Sequence, residues 1–368
     1  MSNAEAHAAD VPGVDGGPLC PLSLTARPIA RLLNFELADD PVYDGLELQW
    51  FDDDVHGTGM LAFLSRRADR LVDYYPQRCL RLDPAGYEIG GGTGSWTATD
   101  FDLARLEVAE DGIDAEVQFT DIDGHLIQVC IDDRNGRRRR RAQLLAPVSA
   151  GIDRPTTLLL VWLDGFDLVR VTGTRPRVRI GGREATIGRL PGARLHRRHL
   201  IKYAAPICAV EFNRTHDGPL PAVGYRGDLE LTADGSSIAA IAAEHGGHRV
   251  RVSFDPALPD VRALSDGAAE EGRWYVVVGG AQLTGGTWSA TRSADHVKLG
   301  LDVDERWRPG RLPWLMRLVT TAVPVFRRWP TTYRWRAIVQ LGTSPTMTST
   351  WERTTSDGGQ AYRRATRS

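Results

Sequence analysis

The residues best suited to chemistry lie in one short acidic segment that also contains a histidine. Asp52, Asp53, Asp54 and His56 place three carboxylates and one imidazole within five positions. Carboxylate and imidazole groups can exchange protons with a ligand, so Asp54 and His56 are the candidates for acid/base catalysis. Calcium binding is disfavoured because the segment lacks the spacing and the later bidentate Glu of an EF-hand. A solvated turn is the alternative that needs no function.

Aromatic side chains around this segment suggest an apolar ligand pocket. Trp50 precedes the acidic turn, Tyr74 and Tyr75 follow an apolar run, and Tyr87 lies a little further along the chain. Rings of this size with a polar tip suit a ligand pocket, although they suit an ordinary core equally well. We predict Trp50, Tyr74, Tyr75 and Tyr87 as ligand-binding residues, with burial in a core as the alternative.

Five consecutive arginines, Arg137 to Arg141, form the most basic stretch of the chain. In a strand, alternation would send Arg137, Arg139 and Arg141 to one face and the other two to the opposite face. Arginines that face inward need carboxylates or an anionic ligand, because an unpaired buried charge is costly. We therefore predict Arg139 as a ligand-binding residue, with protection of an edge strand by exposed charge as the alternative.

The sequence predicts no metal site and no cofactor. His196 and His199 stand at helical spacing but lack a third ligand nearby, and no hydrolase, phosphate-loop, zinc-protease or dinucleotide motif is present. The cysteines are too far apart to form a CxxC pair, which favours buried thiols in a reducing compartment. They are Cys20, Cys79, Cys130 and Cys208.

Length and composition indicate a folded protein of two domains. The chain has 368 residues, of which 42 % are hydrophobic, and its formal net charge of -2 disfavours a nucleic-acid-binding surface. The first residues lack the basic start and apolar run of a secretory signal, so we expect a cytoplasmic protein. Residues 1–17 and 343–368 are polar, and we expect both segments to be flexible tails.

The clearest pattern is that of an antiparallel meander. Asp111-Gly112, Asp123-Gly124 and Asn135-Gly136 recur every twelve residues, and each dipeptide suits a tight hairpin turn. Further turns are predicted at Asp164-Gly165 and Gly181-Gly182. The fold class is thus all-β.

Helix is expected in one main place, near the C-terminus. The segment from Pro313 to Arg328 has a broad apolar stripe, and Pro324 should bend or end the helix. Ile238 to Glu244 is a weaker, alanine-rich candidate.

A short motif occurs twice, each time after a strand that ends in glycines. Gly94-Ser95-Trp96-Thr97-Ala98-Thr99 is nearly repeated as Gly286-Thr287-Trp288-Ser289-Ala290-Thr291. The Gly-x-Trp pairs, Gly94/Trp96 and Gly286/Trp288, resemble the lipocalin signature at the entrance of a β-barrel. A tandem of two such barrels is the architecture of the AttH-like group, which is related to hydroxyneurosporene synthase.

This resemblance implies two related up-and-down barrel modules, residues 18–200 and 201–342, with a helix near the end of the second. It also implies that an arginine packs over each tryptophan, and the candidates are Arg334 or Arg336 for Trp288, and Arg139 or Arg141 for Trp96.

The predicted function is binding of an apolar, lipid- or terpenoid-like small molecule, with or without cofactor-free hydratase, isomerase or cyclase activity. The alternative is a non-enzymatic β-sandwich interaction module without a ligand cavity. In a third interpretation, the protein rests on a membrane surface through the helix between Trp314 and Phe326. The alternative, which is favoured because it needs no lipid, is that this helix packs against the second module.

Overall fold

The part of the chain that the structure describes folds into three β-sheets that are almost entirely antiparallel. The structure, a computed structural model, describes residues 17–87, 92–171, 176–189, 196–220, 228–308, 312 and 314–354. Strands are numbered in chain order. The helices are α1 (Trp314–Ala322) and α2 (Pro324–Arg328), and Pro84–Gly86 form one 3-10 turn.

The first sheet has ten strands. These are β1 (Leu24–Ile29), β2 (Arg31–Glu36), β3 (Tyr43–Asp53), β4 (Gly57–Arg66), β5 (Val72–Pro76), β6 (Thr93–Trp96), β10 (Ala142–Ala146), β11 (Leu158–Arg170), β14 (Arg198–Ala204) and β15 (Ile207–Phe212). Their order is β1-β15-β11-β14-β2-β3-β4-β5-β6, with β10 beside β11. Among the described strands of this sheet, β5 and β6 are the pair that runs parallel, and an isolated parallel bridge between Gln77 and Thr99 follows it.

The second sheet has five strands and the third has nine. The second contains β7 (Phe101–Ala109), β8 (Gly112–Thr120), β9 (Leu126–Asp132), β12 (Arg177–Ile180) and β13 (Arg183–Glu184). The third contains β16 (Asp217–Pro219), β17 (Asp228–Leu231), β18 (Ser237–His245), β19 (His248–Pro259), β20 (Ala269–Val278), β21 (Ala281–Ser293), β22 (His296–Glu305), β23 (Tyr333–Gln340) and β24 (Thr346–Arg353). From β17 to β24 the third sheet is an uninterrupted up-and-down meander.

The first sheet lies between two apolar cores, which explains the unbroken apolar run from Met60 to Leu64 in β4. Its odd-numbered residues Leu61 and Phe63 join a core shared with the third sheet, while Met60, Ala62 and Leu64 join a core shared with the second sheet. A strand that is buried on both faces needs a continuous apolar run and not alternation. The molecule is therefore layered, with the first sheet in the middle.

Three of the predicted turns form hairpins. Asp111-Gly112 joins β7 to β8, Asp123-Gly124 joins β8 to β9, and Gly181-Gly182 joins β12 to β13 with φ angles of 58° and 82° at its two glycines. The prediction for Asn135-Gly136 is wrong, because the chain leaves the second sheet there and β10 pairs with β11 of the first. Asp164-Gly165 is also not a hairpin, since β11 continues through it.

The predicted C-terminal helix is present and is interrupted where proline requires it. Helix α1 ends at Ala322, and α2 begins at Pro324. The weaker helical prediction, Ile238 to Glu244, is wrong because this segment forms β18, which hydrogen-bonds to strands on both sides. Among the described residues, no helix has the length and apolar character needed to cross a membrane.

The predicted module boundaries move in the structure. Strands β14 and β15 continue the first sheet as far as Phe212, beyond the boundary expected at residue 200, and pairing with the third sheet begins at Asp217. The segment expected to be a C-terminal tail contains β24, in which Met347 and Trp351 are buried. Thr346, Thr348 and Thr350 occupy the alternate positions, which are half-buried or exposed, and they give this strand much of its polar composition.

The two Gly-x-Trp segments occupy different settings. Trp96 is half-buried on β6, a short strand that pairs in parallel with β5 at the sheet edge. Trp288 is buried in the middle of β21, which pairs antiparallel on both sides. The strand orders of the two halves also differ. The predicted equivalence of the two motifs is therefore wrong, although each lies on a strand.

Candidate functional site

The acidic segment forms the tight turn between β3 and β4. The carboxylate of Asp53 accepts hydrogen bonds from the backbone N–H groups of Val55 and His56, both at 2.9 Å, and so fixes the turn. Its two oxygens each lie 3.0 Å from Nδ1 of His56. Asp54 is exposed, and its backbone carbonyl accepts a hydrogen bond from Arg81. The carboxylate that contacts His56 is thus Asp53 and not the predicted Asp54.

A second histidine reaches this turn from the third sheet. His245 is the last residue of β18, and its Nε2 lies 3.3 Å from Oδ1 of Asp53. Gly246 and Gly247 make the following hairpin with φ angles of 55° and 77°. A Cβ on Gly246 would lie 2.9 Å from the side chain of Pro28, so glycine also allows the hairpin to approach β1. These contacts hold His245 against the first sheet.

Asp53, His56 and His245 therefore form a compact cluster, here called the Asp–His–His cluster. One ligand atom of each residue lies within 4.8 Å of the others. Two ligand atoms that each lie about 2.1 Å from one cation are roughly 3.0–3.4 Å apart when the ligand–cation–ligand angle is between a right angle and a tetrahedral angle. The two Asp53–histidine distances, 3.0 and 3.3 Å, match this separation. The side chains are 10 %, 15 % and 26 % exposed in the order given, so the cluster is neither sealed nor freely solvated.

Electrostatics keep the Asp53 carboxylate ionised. Burial acts to raise its pKa, but the backbone N–H of His56 and the two imidazoles act in the opposite direction, and the net result is a lowered pKa. An ionised carboxylate between two imidazoles is an arrangement that can bind a cation or orient a histidine for proton transfer.

A mostly buried pair of a basic and an aromatic side chain, Arg27 and Tyr87, is electrostatically coupled to Asp53. The Arg27 guanidinium forms an ion pair with Glu211 and stands 4.6 Å from the ring centre of Tyr87. Burial raises the pKa of Tyr87, the Arg27 charge opposes this, and the negative charge of Asp53 is close enough to contribute to the rise. The ring of Phe51 lies 5.4 Å from that of His56.

The predicted ligand-binding aromatics are divided between the two cores. Tyr74 and Tyr87 pack together with Trp96 in the core shared with the third sheet, and the Tyr74 hydroxyl donates a hydrogen bond to the Tyr87 carbonyl. Tyr75 lies in the other core, where it packs on Phe119. Trp50 is half-buried at the edge of that same core. The four residues thus do not form one surface.

Arg139 lies in a loop and not in a strand, and it is fully buried. Its guanidinium pairs with the carboxylate of Asp133 and lies 3.2 Å from the Tyr203 hydroxyl. Its neighbours Arg138 and Arg140 are exposed, while Arg141 donates to the Ala109 carbonyl. The Asp133 carboxylate therefore neutralises the Arg139 charge. A carboxylate was one of the two partners predicted for an inward-facing arginine, and an anionic ligand was the other.

The arginines expected to cover Trp288 point to the opposite face of the third sheet. Arg334 pairs with Glu352 and Arg336 with Asp302, and both arginines are largely exposed. Strand alternation explains this, because Trp335 lies between them and faces the core in which Trp288 is buried. Neither arginine packs over Trp288, so this prediction is wrong.

A second cluster of possible ligands is explained by local structure. Asp121, Asp123 and His125 lie in the turn between β8 and β9. Asp121 already accepts hydrogen bonds from the Tyr43 hydroxyl at 2.9 Å and from the His125 backbone N–H at 2.8 Å. The side chains of Asp123 and His125 are exposed. This cluster is therefore explained as a hydrogen-bonded turn.

Sequence reasoning identified the turn of the Asp–His–His cluster but missed two of its members. Asp53 was one of three neighbouring aspartates with no sign of which would face His56. His245 is 192 residues from Asp53 and stands alone in an alanine-rich strand, so no spacing rule could include it. Comparisons of the chain with family models, with curated proteins and with solved structures found no match.

Proposed function

We propose that the Asp–His–His cluster is a divalent transition-metal site and that the protein performs metal-dependent chemistry on a small molecule there. The observation that carries this proposal is the convergence of two imidazoles and one ionised carboxylate, from both halves of the chain, at the spacing of ligands to one cation. Three protein ligands leave at least one coordination position open, which is typical of catalytic and not of structural metal sites.

The ligand set selects among cations. Imidazole suits zinc, iron, nickel and copper, whereas calcium and magnesium prefer sites made of oxygen alone. Two histidines and a carboxylate are used both by zinc hydrolases and by non-haem iron enzymes, so the ligand types do not distinguish these classes. The proposal is therefore limited to a first-row transition metal with nitrogen and oxygen ligands.

Each ligand would be held in place by the fold. The turn at the end of β3 positions Asp53 and His56 through backbone hydrogen bonds, and the glycine hairpin positions His245. A bound cation would supply Lewis acidity at this position.

Metal binding can be measured directly with the variant His245→Ala. After removal of metal by a chelator, the wild type should bind one equivalent of Co²⁺ or Zn²⁺ by calorimetry, and Co²⁺ should give a visible absorption spectrum. Loss of even an outer-shell partner lowers affinity by about 10–100-fold, so loss of the His245 ligand should cost at least that much.

The matched control is His248→Ala. His248 faces His245 across the same hairpin and is also half-buried, but it is not part of the cluster. This variant should bind metal as the wild type does. If the wild type binds no transition metal, or if His245→Ala binds it equally well, the proposal fails and the cluster is only a hydrogen-bonded joint between the sheets.

The apolar-ligand function stays a second candidate. What supports it is the third sheet, whose long up-and-down meander with a helix before its last strands resembles a lipocalin-like barrel. What weighs against a ligand beside Trp288 is the cavity between Leu22, Trp288 and Trp335, which has a volume of about 10 Å³ and room there for no more than one water.

Native mass spectrometry of protein purified from its source tests this candidate. An apolar-ligand protein should carry a co-purifying lipid- or terpenoid-like mass that organic solvent removes. Because the interior beside Trp288 is filled by side chains, we expect the protein to be recovered without such a mass. A stoichiometric apolar ligand would restore the candidate to first place.

A further inference from the structure

Helix α1 presents large apolar side chains to solvent. Trp314 is 65 % exposed and Leu318, one turn later on the same face, is 57 % exposed. Val323, in the bend between α1 and α2, is 39 % exposed. On the opposite face Met316 and Thr320 are buried against the protein. The helix is thus packed against the protein by one face. Its opposite face exposes large apolar side chains that no described part of the chain covers.

The chain around these helices is basic and contains no acidic residue. From residue 306 to residue 351 there is no Asp or Glu, although the net charge of the whole protein is -2. The same segment contains eight arginines. They are Arg306, Arg308, Arg311, Arg317, Arg327, Arg328, Arg334 and Arg336. The last two lie on β23 and pair with acids from neighbouring strands, so they do not contribute free charge.

Four arginines close to the helices keep their charge available. Arg306, Arg308, Arg317 and Arg327 are exposed, and no ion pair joins any of them to a residue in the described part of the chain. We propose that α1 and α2 dock the protein onto an anionic lipid surface, with Trp314 and Leu318 inserted between headgroups and these arginines contacting lipid phosphates or carboxylates.

The pattern fits a lipid surface better than a protein partner. Tryptophan and leucine on one side, flanked by arginine, are typical of helices that lie in the headgroup region. Tryptophan favours this region because its ring is apolar and its N–H is polar. Each arginine near an anionic surface adds attraction that salt weakens. At nine residues α1 is too short to span a bilayer, so contact would be limited to one leaflet.

Flotation of the full-length protein with vesicles tests the proposal. Phosphatidylcholine vesicles that contain phosphatidylserine should carry the wild type upward in a density gradient, whereas vesicles of phosphatidylcholine alone should not. The double variant Trp314→Ser/Leu318→Ser should lower the partition coefficient at least about tenfold, because it removes the inserted side chains. Arg327→Glu should lower it about tenfold and make the remaining binding less sensitive to salt.

The control is a second pair of exposed apolar residues far from the helices. Val42→Ser/Ile122→Ser changes side chains that are 40 % and 52 % exposed, and flotation should be unchanged. All variants should melt like the wild type, because the altered groups are solvent-exposed. The proposal is overturned if the wild type does not float, if it floats equally with neutral vesicles, or if the helix variants float as well as the control. Binding to poly-glutamate without flotation would assign the surface to an acidic protein.

Discussion

Replacing Arg139 with methionine is expected to lower the free energy of unfolding by about 3–5 kcal/mol, the largest loss we expect from a single polar residue. The side chains of Arg139 and Asp133 are 0 % and 1 % exposed. Arg139 also donates to the backbone carbonyl of Asp133 and lies beside Tyr203. Methionine fills a similar volume, so the loss comes mainly from leaving the Asp133 charge buried without its partner.

Urea denaturation with the neighbouring variant Arg138→Met as control measures this loss. Arg138 is 82 % exposed and pairs only loosely with Glu110, so its replacement should change stability by less than about 0.5 kcal/mol. The double variant Arg139→Met/Asp133→Asn should recover part of the loss, because the buried negative charge is gone. Equal stabilities for the two single variants would show that the buried pair does not stabilise the loop between β9 and β10.

Replacing Gly286 with alanine should destabilise the third sheet by about 3 kcal/mol or more. A Cβ at this position would lie 1.7 Å from the backbone oxygen of Asp302 and 3.0 Å from Nε1 of Trp274. Neither group can move freely, since one belongs to β22 and the other is buried. The pairing of β21 with β22 is irregular between Gly285 and Gly286, so this is a place where two backbones approach closely.

Gly342→Ala is the control for this substitution. Gly342 has no heavy atom within 4 Å of the position of an added Cβ, so the variant should be neutral or slightly stabilised. Thermal unfolding compares the two proteins. If Gly286→Ala and Gly342→Ala unfold at the same temperature, the close approach of β21 and β22 is not present in solution.

Local patterns were sufficient to predict much of the secondary structure. The alternation from Ile113 to Phe119 and the Asp-Gly turns on either side give β7, β8 and β9 because the sheet is wet on one face. Pro324 separates two helices because proline cannot continue one. These predictions depend only on neighbouring residues, which is why they hold.

Predictions that depended on distant partners were less successful. Asn135-Gly136 has the chemistry of a hairpin turn, but the buried pair of Arg139 with Asp133 holds a loop between two sheets instead. The segment from Ile238 is alanine-rich, yet pairing on both sides makes it a strand. The similar residue types around Trp96 and Trp288 carry no information about which strands lie beside each motif.

In the candidate site, too, the local part could be predicted from the sequence and the part that depends on a distant residue could not. The composition of the turn from Asp53 to His56 marks it as chemically capable. Only the fold brings His245 to it, because that approach depends on how the third sheet packs against the first. The basic helical segment was visible in the sequence, whereas the exposure of Trp314 and Leu318 required the structure.

The most direct measurement is anomalous diffraction at the zinc absorption edge from crystals grown with one equivalent of Zn²⁺. The Asp–His–His cluster should show a single strong peak about 2.0–2.2 Å from a carboxylate oxygen of Asp53, Nδ1 of His56 and Nε2 of His245. A cluster without an anomalous peak, in crystals whose protein has bound zinc elsewhere, would contradict the proposal that this is the metal site.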